Sequence, residues 1–477
     1  MKKQWSGYLE TAKTMVMLLL FACVLVLLAV YIALLSDTWS TEENYGNIVD
    51  EIRVLASGGD INDYPTGDYL LPESITLLTE GSSRALLQSV NGTMSSYYAK
   101  AAALLATVAS DTDRFAARRG AEATARWEAV TELNSCLYLS YHSDLPLQVI
   151  GYFAAAFSEN SLCVESSVPV LVKEMVLYED ADGKHHAMIR SSTGTVYTCD
   201  NWSDPARIAD LYGYSVYEME KIATTDSAFV DCAMAGTHFG ETNPMDSQAT
   251  PVLLSGLSTA KFRFSTPALD QLVHSKKDTN TFLRLFNYNP NKINRHEEAN
   301  GTTVYVEEHG MLKVSTASVS YTAAQNGGIP AAEVLGIAAS RIDLYDAILY
   351  STRILDGLRA IRLTYFGGDC NVILHSVSGR AGELELRYRY YADNLELRGQ
   401  PQEIVFQFAS DTLVSARIDG LTGYDVADAD HMYSGAWVAE RFYSSLGPIQ
   451  SMAIVYDYQT GVSVSAQWTA VFKEGNS

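Results

Sequence analysis

Apolar and polar positions fall into distinct regimes along this 477-residue chain. From Met15 to Leu35 there is no charged side chain, and fourteen of these 21 positions are Leu, Val, Ile or Phe. At 1.5 Å per residue a helix of that length reaches roughly 31 Å, about the thickness of a bilayer's hydrocarbon core. Those fourteen side chains favour insertion by about 4–8 kcal/mol. The pattern predicts one transmembrane helix. Lys2, Lys3 and Lys13 precede it, whereas Asp37, Glu42, Glu43, Asp50 and Glu51 follow it before the first basic residue, Arg53. The positive-inside bias then puts the short N-terminal end in the cytoplasm and everything after Ser36 outside. The apolar core is too long, and its end too poor in small residues, for a cleaved signal peptide.

Beyond the anchor the apolar runs shorten and become periodic. Residues 37–72, rich in acidic residues, Gly and Asn, read as a stalk. Ser74–Leu78 predicts a strand and the Ala-rich stretch Thr93–Ala109 a helix. Ser143 and Asp144, followed by Pro146, predict the capped start of a helix over Leu147–Phe157. The period then changes to strands over Val170–Tyr178, His186–Arg190 and Thr195–Cys199, with turns at Asp180–Gly183 and Ser192–Gly194. A helix is expected across Pro267–Phe286, stopping before Asn289-Pro290.

Thr302–Glu307 and Met311–Ser315 read as a hairpin. Pro330 is expected to open a long helix whose apolar face runs Val334, Ala338, Ile342, Tyr345 and Leu349. In Glu383–Tyr390, charged Glu383, Glu385, Arg387 and Arg389 alternate with Leu384, Leu386, Tyr388 and Tyr390, a period of two that calls for one packed face. Ala453–Phe472 reads as a closing hairpin around Gly461. The expected class is α+β, with antiparallel sheets flanked by helices. The expected parts are 1–36 (cytoplasmic end and transmembrane helix), 37–72 (stalk), 73–164 (N-terminal ectodomain), 165–300 (middle α+β domain) and 301–477 (C-terminal α+β domain).

Charge and cysteine narrow the setting. A net charge of −22 argues against nucleic acid and anionic lipid as partners, since like charges repel. Cys136, Cys163, Cys199, Cys232 and Cys370 are widely and irregularly spaced, without a CxxC pair, and read as buried thiols. One disulfide among the first four stays open.

Catalytic signatures are missing: there is no GxSxG elbow, P-loop or GxGxxG, and His296-Glu-Glu-Ala-Asn300 lacks a second zinc-binding histidine. His185 and His186 sit side by side on a predicted strand, so their rings diverge, one packed and one solvated. The reading is a non-enzyme without cofactor or metal. Within the anchor, Ala22, Ala29 and Ala33 share one face, a candidate helix–helix interface where another membrane helix can approach closely.

Two blocks carry a resemblance. Phe286-Asn-Tyr-Asn-Pro290, Arg295, Gly301-Thr-Thr-Val-Tyr-Val-Glu307 and Gly310-Met-Leu-Lys-Val314 form the first; Trp127, Leu137-Tyr-Leu-Ser-Tyr141 and Leu145-Pro-Leu147 form the second. Together they resemble the YycH family, with Asn287 where glycine is expected and His296 where tyrosine is usual. That resemblance implies a single-pass accessory protein of the cell membrane in Gram-positive bacteria, with an extracellular ectodomain. Such a protein binds a sensor histidine kinase of a cell-wall two-component system, together with a YycI-like sister protein, and modulates it. A different reading is an anchored extracellular module that holds a peptide, wall fragment or small ligand.

Overall fold

Strand pairing, more than composition, decides how the segments group. The computed structural model describes residues 69–79, 82–86, 93–133, 135–158, 170–223, 229–269, 276–325, 327–335, 343–362, 367–380 and 382–472. The expected transmembrane helix, its Ala22, Ala29 and Ala33, and the stalk up to residue 68 lie outside the described residues. What is described is α+β, two large sheets of mainly antiparallel strands with helices against them.

The first sheet has nine strands. In spatial order they are Ala116–Arg118, Val196–Cys199, His185–Arg190, Leu171–Glu179, Cys136–Pro146, Ser74–Thr79, Ser82–Leu86, Val230–Met234 and Pro251–Leu253. Every neighbouring pair is antiparallel. Its central strand explains the run Cys136-Leu-Tyr-Leu, which is buried at every position. Leu137 and Leu139 face the main core under helices Thr93–Ser110, Leu147–Ser158 and Pro205–Ala223, whereas Cys136 and Tyr138 face a smaller core with Trp127 and Val176. A sheet covered on both faces needs no polar alternation.

Fifteen strands make up the second sheet. It runs from Asn294–Glu297 through the hairpin Thr303–Glu307 and Gly310–Val314, then Ser318–Ala323, Thr412–Asp419, Ile404–Ala409 and Glu383–Ala392. It continues through Leu395–Arg398, Ile449–Asp457, Ser463–Phe472, Leu257–Ser265 and Thr422–Met432 to Gly367–Gly368, with Cys370–Arg380 paired onto Glu383–Ala392. Here the alternation expected of Glu383–Tyr390 is present: Leu386, Tyr388 and Tyr390 are buried, while Glu383 is exposed. Helix Leu344–Arg362 covers that inner face, and helix Lys276–Leu285 packs against it at Gly357, where a Cβ would meet the Leu285 side chain at 2.2 Å. One continuous core links both sheets; Tyr69 stacks edge-on to Tyr388, and Tyr152 to Tyr345.

The chain passes from the first sheet to the second between Leu253 and Leu257. The boundary expected at 164 falls between Cys136–Pro146 and Leu171–Glu179, which are hydrogen-bonded neighbours. That expected at 300 falls between Asn294–Glu297 and Thr303–Glu307, which also pair. Residues Tyr64–Ser477 form one compact unit.

Three local expectations shift. The helix expected from Pro267 is observed over Lys276–Leu285, and Leu269 instead donates its N–H to Thr316 O (2.8 Å). Ile329–Pro330 bridges to Thr412–Leu413 before a short helix, Ala331–Leu335, while Ala338 and Ile342 lie outside the described residues. Helix Leu147–Ser158 follows directly on a strand, and the expected caps are engaged elsewhere. Ser143 donates to His375 O, and Asp144 accepts from Ser192 N (2.8 Å).

Candidate functional site

The most unusual polar grouping lies where the two sheets meet. It starts from a turn. Ala392 pairs with Leu395, leaving Asp393 and Asn394 as a two-residue loop with φ of +48° and +62°, the signature of a type I′ hairpin. Asp and Asn tolerate the left-handed region because their short side chains bond locally. The turn points Asn394 into the seam, where it is fully buried and donates Nδ2 to Pro72 O at 2.7 Å.

Opposite stands His142, from the strand Cys136–Pro146. Its ring lies 4.1 Å from that of Tyr391, centroid to centroid, and Tyr391 OH hydrogen-bonds His375 Nδ1 at 3.0 Å. Lys173 pairs with Glu73 (3.3 Å) and also donates to Tyr141 O. His142 Nε2 and Asn394 Oδ1 are closed to solvent and have no hydrogen-bond partner among the described residues. Asn394 is near enough to His142 to raise its proton affinity somewhat, without closing a bond of ordinary length. Burial dominates, helped by Lys173 and His375, and pushes His142 down to about 3. Burial and then Arg389 push His375 down to about 4. Both rings are therefore neutral at neutral pH. Sequence patterning gave no hint of this cluster, although Asp393-Asn394 between two strand-like runs is a readable hairpin signal.

The first resembling block forms a folding unit. Helix Lys276–Leu285 ends in a Schellman arrangement: Tyr288 N–H reaches Leu283 O (2.9 Å) and Asn287 N–H reaches Arg284 O (3.0 Å). Asn287 takes φ +57°, the conformation glycine favours, which accounts for an asparagine standing there. Asn289 accepts from Asn291 N (3.0 Å) in an Asx turn, and its own N–H donates to Glu307 (3.2 Å). Tyr288 is buried edge-on against His309 (4.4 Å) and Tyr321. Arg295 and His296 are exposed on the edge strand. In the second block, Tyr138 and Arg190 both donate to Glu174, and the Arg190 guanidinium lies 4.8 Å over Trp127.

His185 and His186 do diverge, but neither is solvated; their side chains are 13% and 12% exposed. His185 packs edge-on to Tyr212, whereas His186 stacks on Tyr178 between Asp180 (2.8 Å) and Asp200 (3.1 Å). Cys136, Cys199, Cys232 and Cys370 are buried and form no disulfide among the described residues, and Cys163 lies outside them. No group of three or more His, Cys, Asp or Glu able to hold a metal ion occurs among the described residues.

An outward-facing aromatic lip completes the picture. Ser434 caps helix Gly435–Leu446 by accepting from Trp437 N. Tyr433, 67% exposed, stacks on Trp437, 44% exposed, with ring centroids 4.3 Å apart. Arg441 covers the Trp437 ring at 5.5 Å; Tyr443 and Leu446 are also exposed, farther along the helix and turned away from Trp437. No family model, curated protein or solved structure matches the chain.

Proposed function

We propose that this protein is a single-pass, membrane-anchored extracytoplasmic regulator that binds a sensor histidine kinase and biases it between states. Residues 15–35 are the anchor in this reading, with Ala22, Ala29 and Ala33 facing the partner's membrane helix. The ectodomain stands outside, and a YycI-like sister protein is the second partner. The observation that carries the binding role is the aromatic lip. Tyr433, just before the helix cap, stacks on Trp437 in solvent beside Arg441, and Tyr, Trp and Arg are the residues in which interface hot spots are enriched. The kinase as partner rests on the two YycH-like blocks, and the flanking charges of the anchor support only its orientation. A regulator that binds one kinase state about tenfold better than the other shifts the equilibrium by about 1.4 kcal/mol.

The test is a crosslinked membrane pull-down of the full chain from its native host. Recovery of a sensor kinase, reduced about tenfold or more by Trp437→Ala, supports the reading. Wall material recovered without a kinase favours the anchored binding module instead. Exchange of residues 15–35 for an unrelated anchor should abolish regulation; full regulation after the exchange removes the membrane helix from the contact.

A further inference from the structure

We propose that the seam around His142 and His375 is an acid-operated release, in which proton uptake from solvent separates strand Cys136–Pro146 from strand Cys370–Arg380. The argument starts from what surrounds the two rings. Strand Cys136–Pro146 itself contributes Tyr141 and Ser143, neither charged, and Ser143 donates to His375 O across the seam. Strand Leu171–Glu179 contributes Lys173, which acts on both histidines. Strand Glu383–Ala392 contributes Tyr391 and Arg389, and the segment before Ile404 contributes Glu403.

Of the carboxylates near the seam, Glu396 acts on Tyr391 from strand Leu395–Arg398, and the two closest to the cations are paired with them. Glu73 is held by Lys173 (3.3 Å), and Glu403 by Arg387 (3.0 Å) and Arg389 (3.3 Å). A second proton on His142 puts charge at a nitrogen closed to solvent beside Lys173, and one on the half-buried His375 puts it beside Arg389, while Glu73 and Glu403 are already held by those two cations. Asp393 sits on the same turn as Asn394, and burial together with Asp425 raises it to about 6. Because that value is raised in the closed form, exposure of Asp393 on opening works against release, offsetting the histidines about tenfold at pH 5.0.

The sign follows from linkage. Both histidines are depressed when the seam is closed, so the closed form loses stability as pH falls below their ordinary value of 6.5. The loss continues down to the closed-state values of about 3 and about 4. Each pH unit in that window raises the open-to-closed ratio about tenfold per histidine, or about 30-fold each at pH 5.0. The two together reach about 10³ at that pH before the offset from Asp393. The device is independent of any partner and of the regulatory reading.

The experiment uses the full chain with spin labels at two exposed positions, Asn201→Cys beside the first sheet and Ser378→Cys on the second. Pulsed dipolar distances are taken at pH 7.5 and pH 5.0. One distance at pH 7.5, joined by a longer, reversible population at pH 5.0, is expected. His142→Phe should suppress that population. Should His142→Phe fail to fold, His375→Gln alone should lower the open-to-closed ratio at pH 5.0 about 30-fold. An unchanged distance in the native protein, or the same second population in His375→Gln, overturns the proposal.

Discussion

The end of helix Lys276–Leu285 gives a prediction whose order of outcomes differs from simple side-chain loss. Asn287 is exposed and sits at φ +57°, at the position where the chain leaves the helix. A side chain with an ordinary Cβ costs roughly 1–2 kcal/mol in this region, a cost from which Asn is partly exempt and glycine wholly so. Its amide also donates to Glu333 at 3.1 Å, an exposed bond worth about 0.5 kcal/mol at the low end of the usual range. Asn287→Ala should therefore cost about 1–2 kcal/mol. Asn287→Gly loses the same bond but relieves the backbone, and its greater freedom when unfolded takes back about 0.4–1 kcal/mol. The net change for glycine is within about 0.5 kcal/mol of zero. Urea midpoints of the full chain, read by far-ultraviolet circular dichroism, should place Gly and Asn together and Ala below both. Glu333→Ala isolates the amide bond and should move the midpoint little. Alanine as stable as asparagine, or glycine as poor as alanine, would refute the backbone argument.

Further consequences can be checked in the same way. Glu174→Ala leaves the Arg190 guanidinium largely buried without its carboxylate and removes the acceptor of Tyr138, so a loss of about 3 kcal/mol is expected in urea unfolding. Gly310→Ala drives a Cβ to 2.6 Å from Thr322 O and 2.7 Å from the Tyr321 ring, and overpacking of that kind should cost about 1–3 kcal/mol, seen as a lowered thermal midpoint. Cys136 and Cys199 are buried, and burial pushes both thiols up to about 12, so neither should react with a maleimide at pH 8 until the chain is unfolded. Mass spectrometry of the native protein would reveal any early adduct.

How much was legible in the sequence depends on whether a segment's partners are local. The hairpin Thr303–Val314, the turns at Gly183 and Gly194, and the period-two strand Glu383–Ala392 all follow from neighbours in the chain, and all are present. Helix Pro205–Ala223 was not anticipated, although Ile208, Tyr212, Ser215, Met219 and Ala223 repeat at four, three, four and four. Its polar face carries exposed Tyr214 and Tyr217, which blur the contrast between faces. The seam was out of reach for another reason. His142 and His375 are 233 positions apart, and only the pairing of two separate sheets brings them together.

This contrast bears on where a partner would be read. Apart from exposed Arg295, the first block points inward or holds the backbone: Tyr288 is buried, Gly310 has no room for a Cβ, and Asn287 keeps the left-handed turn where glycine is expected. Trp127 in the second block is likewise buried beneath Arg190. Such positions constrain the fold, so a chain can keep them while changing what it binds. Discrimination between partners has to come from groups that solvent leaves uncovered and that are costly to leave so, and Tyr433, Trp437, Tyr443 and Leu446 meet that condition. The blocks and the lip are thus separable, and variants at Trp437 should alter association while the urea midpoint stays unchanged.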